Sequence, residues 1–224
     1  RLSHDEILTL FHETGHGLHH LLTQVNKLGV SGINGVEWDA VELPSQFMEN
    51  FVWEYDVLAQ MSAHEETGEP LPKELFDKML AAKNFQRGMF LVRQMEFALF
   101  DMTIYSEENE GRLKNWQQVL DSVRKEVAVI QPPEYNRFAN SFGHIFAGGY
   151  SAGYYSYAWA EVLSADAYAA FEESDDVAAT GKRFWQEILA VGGSRSAAES
   201  FKAFRGREPS IDALLRHSGF DNAA

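Results

Sequence analysis

"DEILTLFHETGHGLHHLLT", residues 5–23, decides how the chain is read. Ile7, Leu8, Leu10, Phe11, Leu18, Leu21 and Leu22 recur in it at three- and four-residue spacing, the period of an amphipathic helix. The same stretch places His12, His16, His19 and His20 within nine positions, half of the eight histidines in the chain. One neutral histidine at a time is an ordinary core residue. Four together point to what imidazole nitrogen does well, and metal ligation comes first.

His12, Glu13 and His16 spell H-E-x-x-H. Residues four apart on an α-helix differ by about 40° around its axis, so both imidazoles point the same way. Two histidines fixed by one rigid helix make half of a zinc site. Glu13 lies about 60° to the side of His16, where it can miss the ion and still take a proton from a water that the ion polarises. A chance match is the competing reading. Burying two histidines and a glutamate without purpose would be costly, which favours the metal. His19, one turn on, is a candidate to support the site or a substrate. His20 points elsewhere, to packing or surface. A third ligand is needed, and with no cysteine it must be a carboxylate or another histidine. Glu37, Asp39, Glu42 and Glu49 are close in sequence. Spacing does not choose between Glu42 and Glu49, and Glu49 is equally readable as a carboxylate behind the ligands or in solvent.

Outward from this helix the same period dominates. Helices are predicted over 45–63, with Pro44 suited to the first turn, and over 72–85, 88–105, 113–127, 151–171, 180–190, 197–204 and 211–217. The exception is "LGVSGINGVEWDAVEL", 28–43, glycine-rich and without a helical period. It reads as an irregular or β-like connection, with a short strand pair around Asn34-Gly35. No repeat or low-complexity linker divides the chain. The expectation is an all-α, mostly helical fold: one domain over 1–224, or a piece of one.

Composition is ordinary for a globular protein, at 45% hydrophobic and 23% charged. A net charge of −14 argues against nucleic acid or an anionic membrane as partner, since both repel such a surface. Without cysteine there is no disulfide and no thiolate chemistry, which suits a cytoplasmic location. No apolar run reaches transmembrane length and no signal peptide is visible. The chain opens "RLSHDEIL" without an initiator methionine, and this predicts a cut inside a longer protein.

A second unusual stretch is "FGHIFAGGYSAGYYSYAWAEV", 142–162. Tyr150, Tyr154 and Tyr157 are spaced as one helix face. Gly148 and Gly149 before them permit a flexible or tight loop, and His144 lies upstream. A tyrosine stripe is more often core or interface packing than catalytic. Tyrosine hydroxyls and a histidine N–H are also suitable donors to a developing oxyanion.

The chain resembles the thimet oligopeptidase/oligopeptidase A family of zinc metallopeptidases, and most resembles its bacterial oligopeptidase A branch. "HDEILTLFHETGHGLHHLLT", "WDAVELPSQFMENFVWE", "QPPEYNRFANSFGHIFAGGYSAGYYSYAWAEVLSADAYAAFEE" and "FKAFRGREPSIDALLRHSGF" carry the resemblance, in order. Thr14 departs from it: the family usually has phenylalanine there, and an effect on packing only is expected. The resemblance implies one zinc ion held by His12, His16 and Glu42, with Glu13 as general base and later proton donor. It implies that His144 and Tyr157 stabilise the tetrahedral intermediate. Tyr150 and Tyr154, with the Gly148–Gly149 loop, would lie along the substrate cleft.

The family fold is nearly all helical, with a deep channel that admits short unfolded peptides. Its members are considerably longer, and these motifs fall in their C-terminal part. The chain is therefore expected to be a C-terminal portion of a catalytic region, weakly active or inactive alone. Its expected partners are short peptides, and an N-terminal remainder of the same protein or self-association through exposed helices. A zinc endopeptidase for oligopeptides is the leading expectation. A dipeptidyl carboxypeptidase of the same family is the near rival, although "FAGGY" and "FRGREPSIDALL" look more like oligopeptidase A. A non-catalytic fragment that binds metal or peptide is the rival from another class.

Overall fold

The computed structural model describes residues 1–106 and 115–220. In chain order the helices are α1 His4–Leu21, α2 Trp38–Val41, α3 Leu43–Glu49, α4 Tyr55–Met61, α5 Lys73–Ala82 and α6 Arg87–Tyr105. They continue with α7 Trp116–Val127, α8 Gly143–Phe146, α9 Ser156–Glu172, α10 Val177–Phe184, α11 Ala197–Arg205 and α12 Asp212–His217. No strand occurs among the described residues, so the fold is all-α. The chain divides into two compact units, residues 1–85 with 159–224 and residues 86–158. No helix among the described residues is long and apolar enough to cross a membrane.

In the larger unit, α1 begins at a capping box. The Ser3 hydroxyl accepts the Glu6 amide while the Glu6 carboxylate accepts the Ser3 amide at 2.7 Å, so two otherwise orphaned donors are satisfied. α1 packs most closely on α3. Behind α3, Phe47 sits among rings from three other segments: Phe184 at 4.2 Å, Phe171 at 5.1 Å and Phe51 at 5.5 Å between centroids. Leu163, Ala167, Phe201 and Phe204 complete that core. Further along α9, buried Asp166 accepts from Arg205 Nε at 2.9 Å, Arg207 Nη1 at 2.7 Å and the Ser210 amide at 2.8 Å, fastening the C-terminal segment.

Three sequence expectations are corrected here. The strand pair around Asn34-Gly35 does not form. Residues 28–43 make a 3₁₀ turn, Leu28–Val30, local i→i+3 bonds such as Asn34 N to Ser31 O, and then α2. Gly32 and Gly35 have φ of 61° and 71°, which is turn and not strand backbone. The predicted 45–63 helix is interrupted after Asn50–Trp53, a 3₁₀ turn, because Glu54 is extended (φ −98°, ψ 124°). Its carboxylate accepts the Tyr168 hydroxyl at 2.5 Å, a partner 114 residues away. The helix predicted over 180–190 starts at Val177 and ends in a π turn, Trp185–Leu189. That turn aims Trp185 Nε1 at the Leu22 carbonyl, 2.9 Å away at the end of α1.

In the smaller unit, α6 packs on α7 over Phe100, Ile104 and Leu120, with Ala139, Phe142 and Ile145 closing the core. Burying a phenylalanine as completely as Phe100 contributes about 1.5–3 kcal/mol. Arg124 is buried against Glu96, with Nε to Oε1 at 2.9 Å, so neither charge is left alone. The first residues predicted for α7, 113 and 114, lie outside the described residues.

Candidate metal centre and tyrosine cluster

α1 presents His12 and His16 on one face, their ring centroids 5.0 Å apart. Glu42 meets them from the joint between α2 and α3, where the backbone turns (φ −90°, ψ 0°) and Pro44 enters the first turn of α3. Glu42 is 0% exposed. Its Oε2 lies 3.2 Å from His12 Nε2 and 3.1 Å from His16 Nε2, and it accepts the Ser45 hydroxyl at 2.8 Å. One ligand atom from each of the three residues falls within 4.8 Å of the others.

The donor set tests well against a catalytic zinc ion. Two imidazole nitrogens and one carboxylate oxygen are one of the three-ligand sets such an ion takes. A fully buried carboxylate facing two imidazole edges is also a place of high negative potential. Burial alone would lower the pKa of His12, but the Glu42 and Glu49 carboxylates outweigh it and raise it to about 9.

Glu49 touches this centre without joining it. Its Oε1 is 2.7 Å from His12 Nδ1, on the far side of the ring from Glu42. When His12 is neutral this contact assigns the proton to Nδ1 and leaves the Nε2 lone pair for a metal. Glu49→Gln keeps an acceptor there but removes its charge. It should weaken binding of a test ion such as Zn²⁺ about tenfold, read in a competition titration with a metallochromic chelator. Equal affinity in the two proteins would show that Glu49 does not orient the ring. The other nearby carboxylates stand apart: Glu37 is exposed and accepts the Ala197 amide at 3.1 Å, and Asp39 lies on α2 outside the donor cluster.

Glu13 follows His12 on α1, is exposed, and is not one of the three clustered donors. Thr14 is exposed as well and its hydroxyl donates to the Leu10 carbonyl at 2.7 Å. His19 is 2% exposed and lines a small cavity with Ala40, Leu43, Pro44 and Ile188. Burial, then the neighbouring His20 and His16, lower its pKa to about 4, so its ring is neutral packing near the ligands. His20 is exposed, with its ring against Gly32.

The smaller unit gathers the second set of candidates. The His144 ring lies 6.1 Å from Tyr150, 5.7 Å from Tyr154 and 5.9 Å from Tyr157, centroid to centroid. Tyr150 stacks on Tyr157 at 5.1 Å, and Tyr154 is 5.1 Å from Tyr157. The rings do not share a helix face as the spacing suggested. α9 starts only at Ser156, so Tyr150 and Tyr154 sit in the preceding turn and only Tyr157 is helical. Gly149, at φ 85°, and the close approach of Gly148 to the His144 backbone turn the chain there. Tyr154 donates to Gln94 Oε1 at 2.9 Å, and burial raises its pKa to about 12.

Sequence reasoning overlooked Asp101. It is 0% exposed on α6, and its carboxylate accepts the amides of Ala152 and Tyr154, each at 2.9 Å. The available signal was an acid inside the apolar run "EFALFDMTIY".

Comparison with known proteins follows the same lines. The sequence model described as Peptidase family M3 matches residues 1–220. Oligopeptidase A of Salmonella typhimurium is 58% identical over 218 residues, 97% of this chain and 32% of the relative. Oligopeptidase A of Escherichia coli is 56% identical over 218 residues, with the same shares of 97% and 32%. Dipeptidyl carboxypeptidase of Salmonella typhimurium is 35% identical over 222 residues, again 97% of this chain and 32% of the relative. The chain thus spans about a third of the length of these curated relatives.

Proposed function

The chain belongs to peptidase family M3, and from that premise we propose that it carries the hydrolytic centre of a zinc-dependent endopeptidase for short oligopeptides, acting in the cytoplasm. The observation that carries the reading is the convergence of His12, His16 and Glu42 on one point from two helices. Zinc, when bound, supplies a Lewis acid that polarises water and the scissile carbonyl. His12 and His16 would hold the ion through their imidazole nitrogens and Glu42 through its carboxylate. Ser45 and Glu49 keep Glu42 and His12 in place by their hydrogen bonds. Glu13 takes the proton of the attacking water and later delivers it to the leaving amine. His144 and Tyr157 donate to the oxyanion as charge develops on it, and Tyr150, Tyr154, Gly148 and Gly149 contact the peptide.

An endopeptidase is preferred over a dipeptidyl carboxypeptidase. Identity to the relatives called oligopeptidase A is 58% and 56%, against 35% for the one called dipeptidyl carboxypeptidase. The deciding experiment couples metal analysis to product mapping. A full-length protein that carries this chain, stripped with a chelator, should lose peptide hydrolysis, and about one equivalent of zinc should restore it. Mass spectrometry of the products should show internal cuts. Stepwise loss of C-terminal dipeptides would select the carboxypeptidase, and full activity in the stripped protein would end the zinc reading.

A further inference from the structure

Asp101 is a buried acid with no part in the chemistry set out above. It projects from α6 with 0% exposure, and the groups it meets are the main-chain amides of one turn. Ala152 N donates to Oδ1 and Tyr154 N to Oδ2, each at 2.9 Å, while the Gly153 amide between them donates to the Tyr150 carbonyl at 2.9 Å and closes the turn. Two amides of one turn, one on each oxygen, hold a single carboxylate. Here the anion is a side chain of the same unit.

The turn needs such an anchor. Ala152 has φ 54°, one of two non-glycine residues with positive φ among those described. An alanine has no intrinsic reason to stay in that region, and a conformation of this kind persists only where its surroundings impose it. The bonds to Asp101 do so from α6, an element fixed in the core by Phe100 and Ile104. The other end of the loop is held separately, where the Ile145 carbonyl accepts the Tyr105 hydroxyl at 2.8 Å and the Ser151 hydroxyl at 2.7 Å. Between these two anchors the chain must bring Tyr150 and Tyr154, neither of them on a helix, up to Tyr157 and His144. Burial pushes the Asp101 carboxyl up and the amides it binds pull it back, so the bonds and the desolvation act on the same group.

We propose that Asp101 is a positioning residue: by binding the amides of Ala152 and Tyr154 it sets Tyr154 and Tyr157 against His144 in the geometry the reaction uses. This rests on the reading of His144 and Tyr157 as oxyanion donors. Asp101→Asn keeps the size of the side chain but replaces one acceptor with an NH₂ that must face an amide N–H. Hydrogen exchange at the amides of 152–154 should then quicken at least tenfold. Misplacing a catalytic group by about 1 Å can cost about 10²-fold in rate, so kcat, measured in a full-length protein that carries this chain, should fall by about that factor. KM should stay within about twofold, because the lost alignment matters in the transition state and not in the bound peptide. Zinc content should not change.

Three results would overturn the proposal. Unchanged exchange at 152–154 would remove the anchor itself. Faster exchange with normal kcat, in a protein where Tyr157→Phe does lower kcat, would show that the anchor does not position the donors. Normal kcat in both Asp101→Asn and Tyr157→Phe would place the failure in the oxyanion reading and take the proposal with it. Should the Asn variant not fold, Asp101→Glu serves. It keeps the charge and both acceptors but moves them by one methylene, and about tenfold loss of kcat is expected from that smaller misplacement. An unchanged kcat there overturns the proposal as well.

Discussion

In a full-length protein that carries this chain, Glu13→Gln should keep its zinc and hydrolyse peptides about 10² to 10⁴ times more slowly than the same protein unaltered. The two halves of that expectation come from different features. Zinc is kept because Glu13 is not among the clustered donors, which are His12, His16 and Glu42. Rate is lost because a carboxamide has nearly the shape of the carboxylate but cannot take a proton from water. Glu13 stands about 100° around α1 from His12, so it is rigidly tied to a ligand yet turned away from the ion. That arrangement suits a base that serves a water held between itself and the metal. Glu13→Asp, which retracts the carboxylate by one methylene, should fall between the two. Zinc would be measured by atomic absorption after mild dialysis, and kcat on a quenched fluorescent peptide. Near-normal kcat in Glu13→Gln would overturn the assigned base, whereas loss of zinc would show that the residue shapes the site and does not act in the chemistry alone.

How much of this was legible in the sequence depends on the range of the forces involved. α1 was legible because its apolar period and its histidine spacing are local, although its Ser3 capping box went unread. The convergence of His12 with His16 needs only the pitch of a helix. Spacing could not choose between Glu42 and Glu49, and only the family resemblance favoured Glu42, since both lie within reach of α1 and both in fact touch His12. What separates them is the bend at Glu42, which buries its carboxylate between the two imidazoles and leaves Glu49 behind the ring. The break at Glu54 was hidden for a similar reason, because its partner Tyr168 comes from a distant helix. Asn34-Gly35 is a true turn signal, but it lacks the alternating apolar flanks that a strand pair requires. Gly192 and Gly193 then pack directly on its backbone: a Cβ on Gly193 would lie 2.5 Å from the Asn34 carbonyl oxygen. The tyrosines were correctly seen as neighbours but for the wrong reason, since a turn and not a helix face brings them together.

Gly15→Ala should break the metal centre without touching a ligand. Gly15 is the buried glycine of "HETGH", between His12 and His16, and it is where α1 meets the start of α3. A Cβ there would lie 2.4 Å from the Pro44 carbonyl oxygen, 2.5 Å from Ser45 Cα and 2.8 Å from the Pro44 carbonyl carbon. All three are main-chain atoms, so no side chain can swing aside. Ordinary contact begins near 3.4 Å, so the two backbones must part by about 1 Å. Glu42 precedes Pro44 by two residues and would retreat with it from both imidazoles. Zinc bonds of about 2.0–2.2 Å do not stretch by that amount, so either the ion is lost or the helices are held together under strain. Zinc affinity is expected to fall at least about 100-fold, with stability lower by about 3 kcal/mol, the upper part of the usual range for overpacking. Gly17→Ala, two residues along the same helix, is the matched control. Nothing lies within 4 Å of its Cβ position. It should bind zinc normally and gain about 0.5–1 kcal/mol from the better helix former. Zinc competition titration and urea unfolding of the two variants side by side would separate the effects. Normal zinc affinity in Gly15→Ala would show that the close approach of α1 and α3 does not set the spacing of the ligands.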